Sequence, residues 1–186
     1  MRLLSPADSI RVPWKNGLGS TLELATDAAS PGGEWTWRLT IADVPARAPF
    51  SIFPGIDRFI ACLSGPGLAL ERAGARVLVP SEGEALAFAG EELVTGGPLG
   101  PGVRDANLML VRGLWRGRMT LARDRALALD AEVVLVHAPE GSSSVRARCA
   151  EGDVELLPGG TLVASGRAGV SGGSAVIACE LYGGGD

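Results

Sequence analysis

The stretch Phe50-Ser-Ile-Phe-Pro-Gly-Ile-Asp-Arg-Phe-Ile-Ala-Cys-Leu-Ser-Gly-Pro-Gly67 decides the fold class. It holds two apolar runs, 50–53 and 56–63, and each run is followed by a Pro/Gly stop. Short apolar runs bounded in this way predict core strands joined by tight turns. Asp57 and Arg58 stand inside this apolar frame, where unpaired charges are costly. The sequence therefore predicts either a solvated strand end or two charges that point together into a binding site.

The same rhythm of short apolar segments and turn residues continues along the chain. Its 27 glycines and 12 prolines fall at short intervals without a collagen period, as turns between many short strands require. In the segment 35–41 the odd-numbered residues are apolar, whereas the even-numbered ones are Thr36, Arg38 and Thr40. This alternation predicts a strand with one apolar and one polar face. Because no helical periodicity of any length is present, the chain is predicted to be all-β.

A weak internal repeat refines this prediction. Residues 60–67 resemble 134–141, and residues 77–86 resemble 155–162, in their order of strand and Pro/Gly turn. Two small antiparallel barrels, or one duplicated jelly-roll unit, fit that order, and the turns are typical of a cupin barrel. We therefore expect an N-terminal half over 1–112 and a smaller C-terminal half over 113–186. An exchange of strands between the two halves is compatible with the sequence.

Composition excludes several classes of protein. The net charge is −4 and the basic residues form no stripe, which argues against a nucleic-acid partner. The first residues contain no apolar signal core, and no apolar run approaches the ~20 residues that span a bilayer, so a cytoplasmic protein without membrane association is expected. The three cysteines, Cys62, Cys149 and Cys179, lie far apart in apolar runs, which favours buried free thiols in a reducing compartment.

Metal and cofactor sites have little support. A cupin metal site usually takes two or three histidines and a carboxylate, but this chain contains one histidine, His137. A lone histidine is more often packed or exposed than a ligand, so neither a metal nor a cofactor is expected. The glycine-rich segment 17–21 leads into a strand, not a helix, and is better explained as a hairpin than as a phosphate-binding loop.

Polar residues in the first half are the remaining candidates for chemistry. Arg38 lies in mid-strand and must meet a carboxylate, supplied by Glu23, by Asp105 or by a ligand. Asp105 and Asn107 have the spacing that places both side chains on one face of a strand. Each residue alone is compatible with a solvated surface, but together they predict a pocket. The full polar set is Lys15, Asn16, Thr21, Glu23, Arg38, Asp57, Arg58, Asp105 and Asn107.

Four ordered motifs across the first 110 residues resemble the HutD/Ves family. They are Trp14-Lys-Asn-Gly-x-Gly-x-Thr21-x-Glu23, Trp37-Arg38-x-x-Ile41-Ala42, Phe50-Ser51-x-Phe53-x-Gly55-x-Asp57-Arg58 and Asp105-x-Asn107-Leu-Met109. The resemblance implies a bicupin, that is, two RmlC-like antiparallel jelly-roll barrels packed together, without the cupin metal ligands. It also implies either a link to histidine utilisation, through binding of an intermediate such as urocanate or formylglutamate, or, as in the Ves branch, a response to cold and other stress. One departure is Ala106, where the family often has an aromatic residue.

The leading hypothesis is a metal-independent protein that binds a small carboxylate-bearing metabolite and modulates histidine utilisation. Arg38 or Arg58 would pair with the carboxylate, and Trp14 or Trp37 would cover an apolar part of the ligand. The candidate ligand-binding set is Trp14, Lys15, Asn16, Thr21, Glu23, Trp37, Arg38, Ser51, Arg58, Asp105 and Asn107.

Two alternatives remain open. One is a metal-independent isomerase, epimerase or hydrolase with Asp105 or Glu23 as general base and Lys15 as acid. The other is a regulatory protein whose main partner is another protein. Pairing through barrel faces into a homodimer is compatible with the sequence under each hypothesis.

Overall fold

The computed structural model describes residues 1–14, 20–30 and 33–184. Within these ranges the only helical element is a 3-10 turn at Pro6–Asp8, so the all-β prediction is confirmed. No helix in the described part of the chain is long and apolar enough to cross a membrane. The strands are β1 Arg2–Leu4, β2 Ile10–Pro13, β3 Ser20–Thr26, β4 Trp37–Asp43, β5 Ala48–Pro49, β6 Ile56–Ser64, β7 Leu68–Arg72, β8 Ala75–Leu78, β9 Gly83–Glu84, β10 Leu86–Ala89, β11 Val94–Pro98, β12 Arg104–Val111, β13 Trp115–Ala122, β14 Leu127–His137, β15 Val145–Cys149, β16 Gly152–Leu156, β17 Thr161–Gly172 and β18 Val176–Gly183.

The strands form three open antiparallel sheets. A six-stranded sheet has the order β10-β6-β12-β4-β3-β2, and a four-stranded sheet has the order β5-β11-β7-β8. The eight-stranded sheet has the order β16-β15-β17-β14-β18-β13-β9, with β1 paired to β17. Since β1 and β9 come from the first part of the chain, the eight-stranded sheet takes strands from both sides of residue 112.

Both faces of the six-stranded sheet are covered. One face packs against the eight-stranded sheet, where Leu39 and Leu108 share a core with Leu135 and Ile177. On the other face, Ile60 of β6 belongs to a second core with residues of the four-stranded sheet. A third core lies among β14 to β18. Polar side chains on the second face of β4, β6 and β12 are therefore buried instead of solvated.

In the second half of the stretch 50–67, the predicted strand over 56–63 is present as β6. The turn at Pro54–Gly55 leads into β6, and the turn at Gly65 follows it. Gly65 has a φ of +85°, and an added Cβ there would lie 2.7 Å from Val103 Cγ2, so both the turn and the close packing require glycine. Two of the three cysteines, Cys62 and Cys179, are buried and Cys149 is half-buried, and all three thiols are free.

The predicted strand over 50–53 is wrong. The backbone N–H of Phe50 donates to Val94 O at 2.9 Å, and that of Phe53 donates to Gly90 O at 2.8 Å. These isolated bonds attach the segment to two different neighbours and do not build a ladder. Two apolar residues of this segment, Phe50 and Phe53, instead cover the polar face of the six-stranded sheet. The glycine-rich hairpin predicted at 17–21 lies largely outside the described residues, although β2 and β3 on either side of it pair antiparallel.

Candidate functional site

A cavity of about 190 Å³ lies on the second face of the six-stranded sheet. Its polar wall comes mainly from three adjacent strands, β4, β6 and β12. Its apolar wall comes mainly from the segment 44–53, together with the end of β2. The polar residues of the wall are Trp14, Thr21, Arg38, Thr40, Ser51, Arg58, Asp105 and Asn107.

Strand register explains why these side chains meet. Every second residue of a strand points to the same face. Met109 of β12 lies opposite Arg38 on one side and Arg58 on the other. Asp105 and Asn107 lie on the same face of β12, four and two positions before Met109. Two cationic and two polar side chains therefore converge around Met109.

Arg58 is the more deeply buried of the two arginines of the cavity, with 5% of its surface exposed. Its Nη2 donates to Asn107 Oδ1 at 2.8 Å, and its Nη1 donates a weaker bond to Ser51 O at 3.4 Å. The guanidinium carbon lies 4.9 to 5.6 Å from the ring centroids of three phenylalanines, Phe50, Phe53 and Phe88. Burial lowers the pKa of Arg58 to about 10, partly offset by the charge of Asp105, so the group is still a cation at neutral pH. Its Nε has no hydrogen-bond partner among the described residues.

Asn107 connects this cation to a buried acid. Its Nδ2 donates to Asp105 Oδ1 at 3.2 Å while its Oδ1 accepts from Arg58. Asp105 is 3% exposed. Burial raises the pKa of Asp105 to about 6, although the charge of Arg58 and the hydrogen bond from Asn107 act in the opposite direction. The three side chains form one hydrogen-bonded chain, Arg58–Asn107–Asp105.

Arg38 already has a carboxylate of the protein beside it. Its Nε lies 2.8 Å from Glu23 Oε2, and the two side chains are 14% and 9% exposed. The N–H does not point at the oxygen, so the contact is an ion pair without a well-formed hydrogen bond. Within the described ranges Arg58 has no such direct carboxylate contact. Arg58 is therefore the cation better placed to accept an anionic ligand.

The structure brings together most of the candidate residues. Trp14, Thr21, Arg38, Ser51, Arg58, Asp105 and Asn107 line the cavity, and Trp14 Nε1 donates to Thr21 Oγ1 at 2.7 Å. Glu23 stands behind Arg38 without lining the cavity. Lys15 and Asn16 lie outside the described residues.

Trp37 does not belong to this set. It is 4% exposed and packs in the core between the six-stranded and eight-stranded sheets. Strand alternation is the reason, because a residue next to Arg38 must point to the opposite face. The same rule indicates two lining residues that the sequence analysis missed, namely Thr40, two positions after Arg38, and Met109, two positions after Asn107. No comparable sequence pattern predicts that aromatic residues surround Arg58.

The donor set of a cupin metal site does not fit this cavity. Among the described lining residues Asp105 is the single carboxylate, and no imidazole is present. His137 lies elsewhere, 2% exposed at the end of β14, with its Nδ1 2.9 Å from Thr161 Oγ1. In the described part of the chain no three His, Cys, Asp or Glu side chains are grouped closely enough to hold a metal ion.

Comparisons with known proteins agree with the motifs. The family model of HutD matches residues 7–179. An uncharacterized 21.2 kDa protein from the hutC 3' region of Pseudomonas putida is 39% identical over 121 residues, which are 64% of this chain and 63% of that protein. Protein Ves of Citrobacter koseri is 32% identical over 81 residues, 44% of this chain and 42% of its own length. The matched region therefore spans less than two thirds of these curated relatives.

Solved structures match over nearly the whole chain. A conserved protein of unknown function from Pseudomonas aeruginosa PAO1 has a TM-score of 0.84 and 30% identity, covering 97% of this chain and 98% of that one. HutD from Pseudomonas fluorescens SBW25, solved in a formate condition, has a TM-score of 0.78 and 28% identity, covering 99% of both chains. Oxalate decarboxylase of Bacillus subtilis has a TM-score of 0.62 at 8% identity over 98% of this chain and 77% of its own, a likeness of fold alone. The fold is thus all-β and cupin-like.

Proposed function

This chain belongs to the HutD family, and we propose from that premise that it binds a small carboxylate-bearing metabolite in the cavity beside Arg58. The observation that carries the proposal is a buried guanidinium that lines a cavity without a direct carboxylate contact among the described residues. A buried charge is costly unless it is paired. A ligand carboxylate would supply the missing partner.

The chemistry of arginine favours this ligand class. Its planar guanidinium presents donors in a fork that matches both oxygens of a carboxylate. In the described part of the chain, the Nε of Arg58 has no hydrogen-bond partner and Nη1 makes only the long bond to Ser51 O. Apolar side chains around the cavity reduce the competition from water for these donors. Trp14, held by its bond to Thr21, offers a flat surface for the remainder of the ligand.

Membership of the family associates the chain with histidine utilisation. Urocanate and formylglutamate both carry carboxylates, so they are the first natural ligands to test, and binding one of them would allow the protein to modulate that pathway. The relative from P. fluorescens was solved in a formate condition. Formate is therefore the smallest useful probe of the same group.

The scaffold is proposed to be a bicupin with halves at 1–112 and 113–186. Recurrence of strand and turn in β6 to β8 and again in β14 to β16 supports this arrangement. The pairing of β1 with β17 and of β9 with β13 supports an exchange of strands between the halves. Under this proposal the cavity belongs to the N-terminal half.

Calorimetric titration with urocanate, formylglutamate, glutamate and formate tests the function. Saturable binding of at least one acid is expected, and Arg58→Met should abolish it. Arg112→Met is the matched control, because Arg112 is an exposed arginine paired with Asp57 and Glu91 away from the cavity. Circular dichroism establishes that both variants are folded. Binding that survives in a folded Arg58→Met variant, or no binding of any acid to the wild-type protein, would contradict the proposal.

One observation favours a second function, that of a metal-independent isomerase, epimerase or hydrolase. Burial raises the pKa of Asp105 to about 6, which suits a general base working near neutral pH. Glu23 is less suited because Arg38 lies beside its carboxylate. Chemical change of a ligand during the titration, lost in Asp105→Asn, would favour the enzyme over the binding protein.

A further inference from the structure

The cavity holds an acid as well as a cation, and the acid has to be reconciled with an anionic ligand. We propose that Asp105 takes up a proton when a carboxylate binds beside Arg58, and that it then donates this proton in a hydrogen bond to the ligand. This inference rests on the proposed function. It assigns Asp105 the role of a ligand-binding donor and makes ligand affinity depend on pH.

The geometry of the cavity would place a ligand carboxylate on Arg58 close to the carboxylate of Asp105. Asp105 and Arg58 line the same cavity and are joined through the amide of Asn107, by bonds of 3.2 Å and 2.8 Å. A ligand carboxylate on Arg58 would therefore share a confined space with Asp105. Two carboxylates in such a space repel each other, which favours protonation of one of them. A protonated carboxyl has an O–H donor that an ionised carboxylate lacks.

The surroundings of Asp105 make it the group most sensitive to an added anion. Arg58 favours its ionised form, and a ligand carboxylate would offset that influence. Asp43 of β4 already acts in the opposite direction, by repulsion. Among the described residues, the groups that act on Asp105 are Arg58 and Cys62 from β6, the Ala42 backbone N–H and Asp43 from β4, and Asn107 from β12. Arg38 of β4 lines the same cavity.

Among these groups, Cys62 is not a competing proton donor. Burial raises the pKa of its thiol, so this group stays protonated at neutral pH with or without ligand. Arg58, whose pKa is about 10, stays protonated as well. Asp105, with its pKa raised to about 6, is the facing group closest to a change of charge near neutral pH.

The sign of the pH dependence follows from linkage. Above about pH 6 the free protein has Asp105 mostly ionised. Anion binding raises this pKa further, so between the free and the bound values each rise of one pH unit lowers the affinity by up to about tenfold. Below about pH 6 the affinity should level off, because Asp105 is already protonated before the ligand arrives. Carboxylate ligands remain ionised in this range.

Calorimetry with sodium formate on the full chain measures the proton directly. Titrations at pH 7 in Hepes and in Tris, two buffers of different ionisation enthalpy, give the number of protons taken up per formate bound. Formate is preferred over urocanate here because an imidazole titrates near neutral pH itself. We expect uptake approaching one proton, and an affinity that falls from pH 6 to pH 8.

Two variants locate the proton. Asp105→Asn, whose amide keeps a donor, should bind formate with no proton uptake and with little pH dependence. Asp57→Asn removes an acid of β6 that pairs with Arg112 outside the cavity, and it should behave like the wild-type protein. Uptake that persists in a folded Asp105→Asn variant would assign the proton to another group and overturn the inference.

Failure of this inference differs from failure of the proposed function. Formate binding with no proton uptake and a flat affinity from pH 6 to pH 8 would overturn the role of Asp105 and leave the carboxylate site intact. Absence of binding for formate and for the larger acids would overturn both.

Discussion

Arg58 and Asp105 are joined through the side-chain amide of Asn107, whose Oδ1 accepts from the arginine at 2.8 Å and whose Nδ2 donates to the acid at 3.2 Å. The amide orients both charged groups but does not bring them into direct contact. Two different groups therefore border the same cavity. One is a guanidinium whose Nε has no hydrogen-bond partner among the described residues, and the other is an acid whose pKa is raised to about 6. This arrangement is suited to accept an anion together with a proton.

The ion pair of Arg38 and Glu23 is expected to stabilise the fold more than it contributes to ligand binding. Arg38→Met would leave Glu23 largely buried without its cation. Breaking a buried pair on one side typically costs about 3–5 kcal/mol, and the partial exposure here reduces the expected loss to about 2–3 kcal/mol. Urea unfolding measures this loss.

The double variant Arg38→Met, Glu23→Gln is the control for the ion pair, because it removes both charges. It should recover part of the lost free energy of unfolding. A fully stable Arg38→Met variant that binds no carboxylate would contradict this assignment and make Arg38 the ligand's partner in place of Arg58.

Asp105 should give the unfolding free energy a distinctive pH dependence. Burial raises its pKa in the folded protein to about 6, above the unfolded value of about 3.9. The folded state therefore binds the proton more tightly than the unfolded state. The contribution of Asp105 to the free energy of unfolding is fully present below about pH 4 and is lost as the pH rises to about 6. Two pKa units correspond to at most about 3 kcal/mol.

The comparison that isolates this effect is the wild-type protein against Asp105→Asn, each unfolded in urea from pH 4 to pH 8. Between pH 4 and pH 6 the free energy of unfolding of the variant should rise relative to that of the wild-type protein. The difference between the two free energies should be constant above about pH 7. A difference that does not change with pH would show that Asp105 titrates normally in the folded protein.

The two tryptophans of the candidate ligand-binding set should differ in their effects on stability and on ligand affinity. Trp37 lies in the core between two sheets, so Trp37→Phe should lower the free energy of unfolding by about 1–3 kcal/mol and leave carboxylate affinity unchanged. Trp14 lines the cavity, so Trp14→Phe should weaken binding of a ligand larger than formate with a smaller loss of stability. Urea unfolding and calorimetry on both variants provide the test. Equal loss of affinity in both would contradict the placement of Trp37.

Strand alternation explains how much of this site could be predicted from the sequence. The polar faces of β4 and β12 follow from a period of two, which is why the sequence predicts Arg38 on the face opposite Trp37, and Asp105 and Asn107 on one face of their own strand. The same rule, applied strictly, excludes Trp37. In contrast, the segment 50–53 has the apolar residues of a strand but forms a cover over the cavity, since its backbone bonds go to two separate neighbours.

Contacts between distant segments could not be predicted in this way. The rings around Arg58 come from Phe50 and Phe53 in the covering segment and from Phe88 in β10. No local pattern relates these residues. Phe88 lies opposite Arg58 because of the register of β10 against β6, whereas Phe50 and Phe53 approach Arg58 because the segment 44–53 folds over the six-stranded sheet. The pairing of Arg38 with Glu23, and not with Asp105, likewise depends on the register of β3 against β4.

Gly96 keeps the ring of Phe50 in position against Arg58. An added Cβ at Gly96 would lie 2.3 Å from Phe50 Cε1 and 3.1 Å from Leu70 Cδ2, so the ring would have to move. This ring contacts the guanidinium, with its centroid 5.1 Å from the Arg58 carbon. Gly96→Ala should therefore lower the free energy of unfolding by about 1–3 kcal/mol, as overpacking does, and should weaken formate binding because the surroundings of Arg58 change.

The matched control for Gly96 is Gly169→Ala in β17. A Cβ at Gly169 would meet nothing within 4 Å, so this substitution adds the same methyl group to a strand without a clash. It should leave formate affinity unchanged and unfolding nearly unchanged, as measured by calorimetry and urea titration. If Gly96→Ala is as stable as the control and binds formate equally well, the position of the Phe50 ring does not govern formate binding at Arg58. The carboxylate site would then depend on the Arg58–Asn107–Asp105 chain alone.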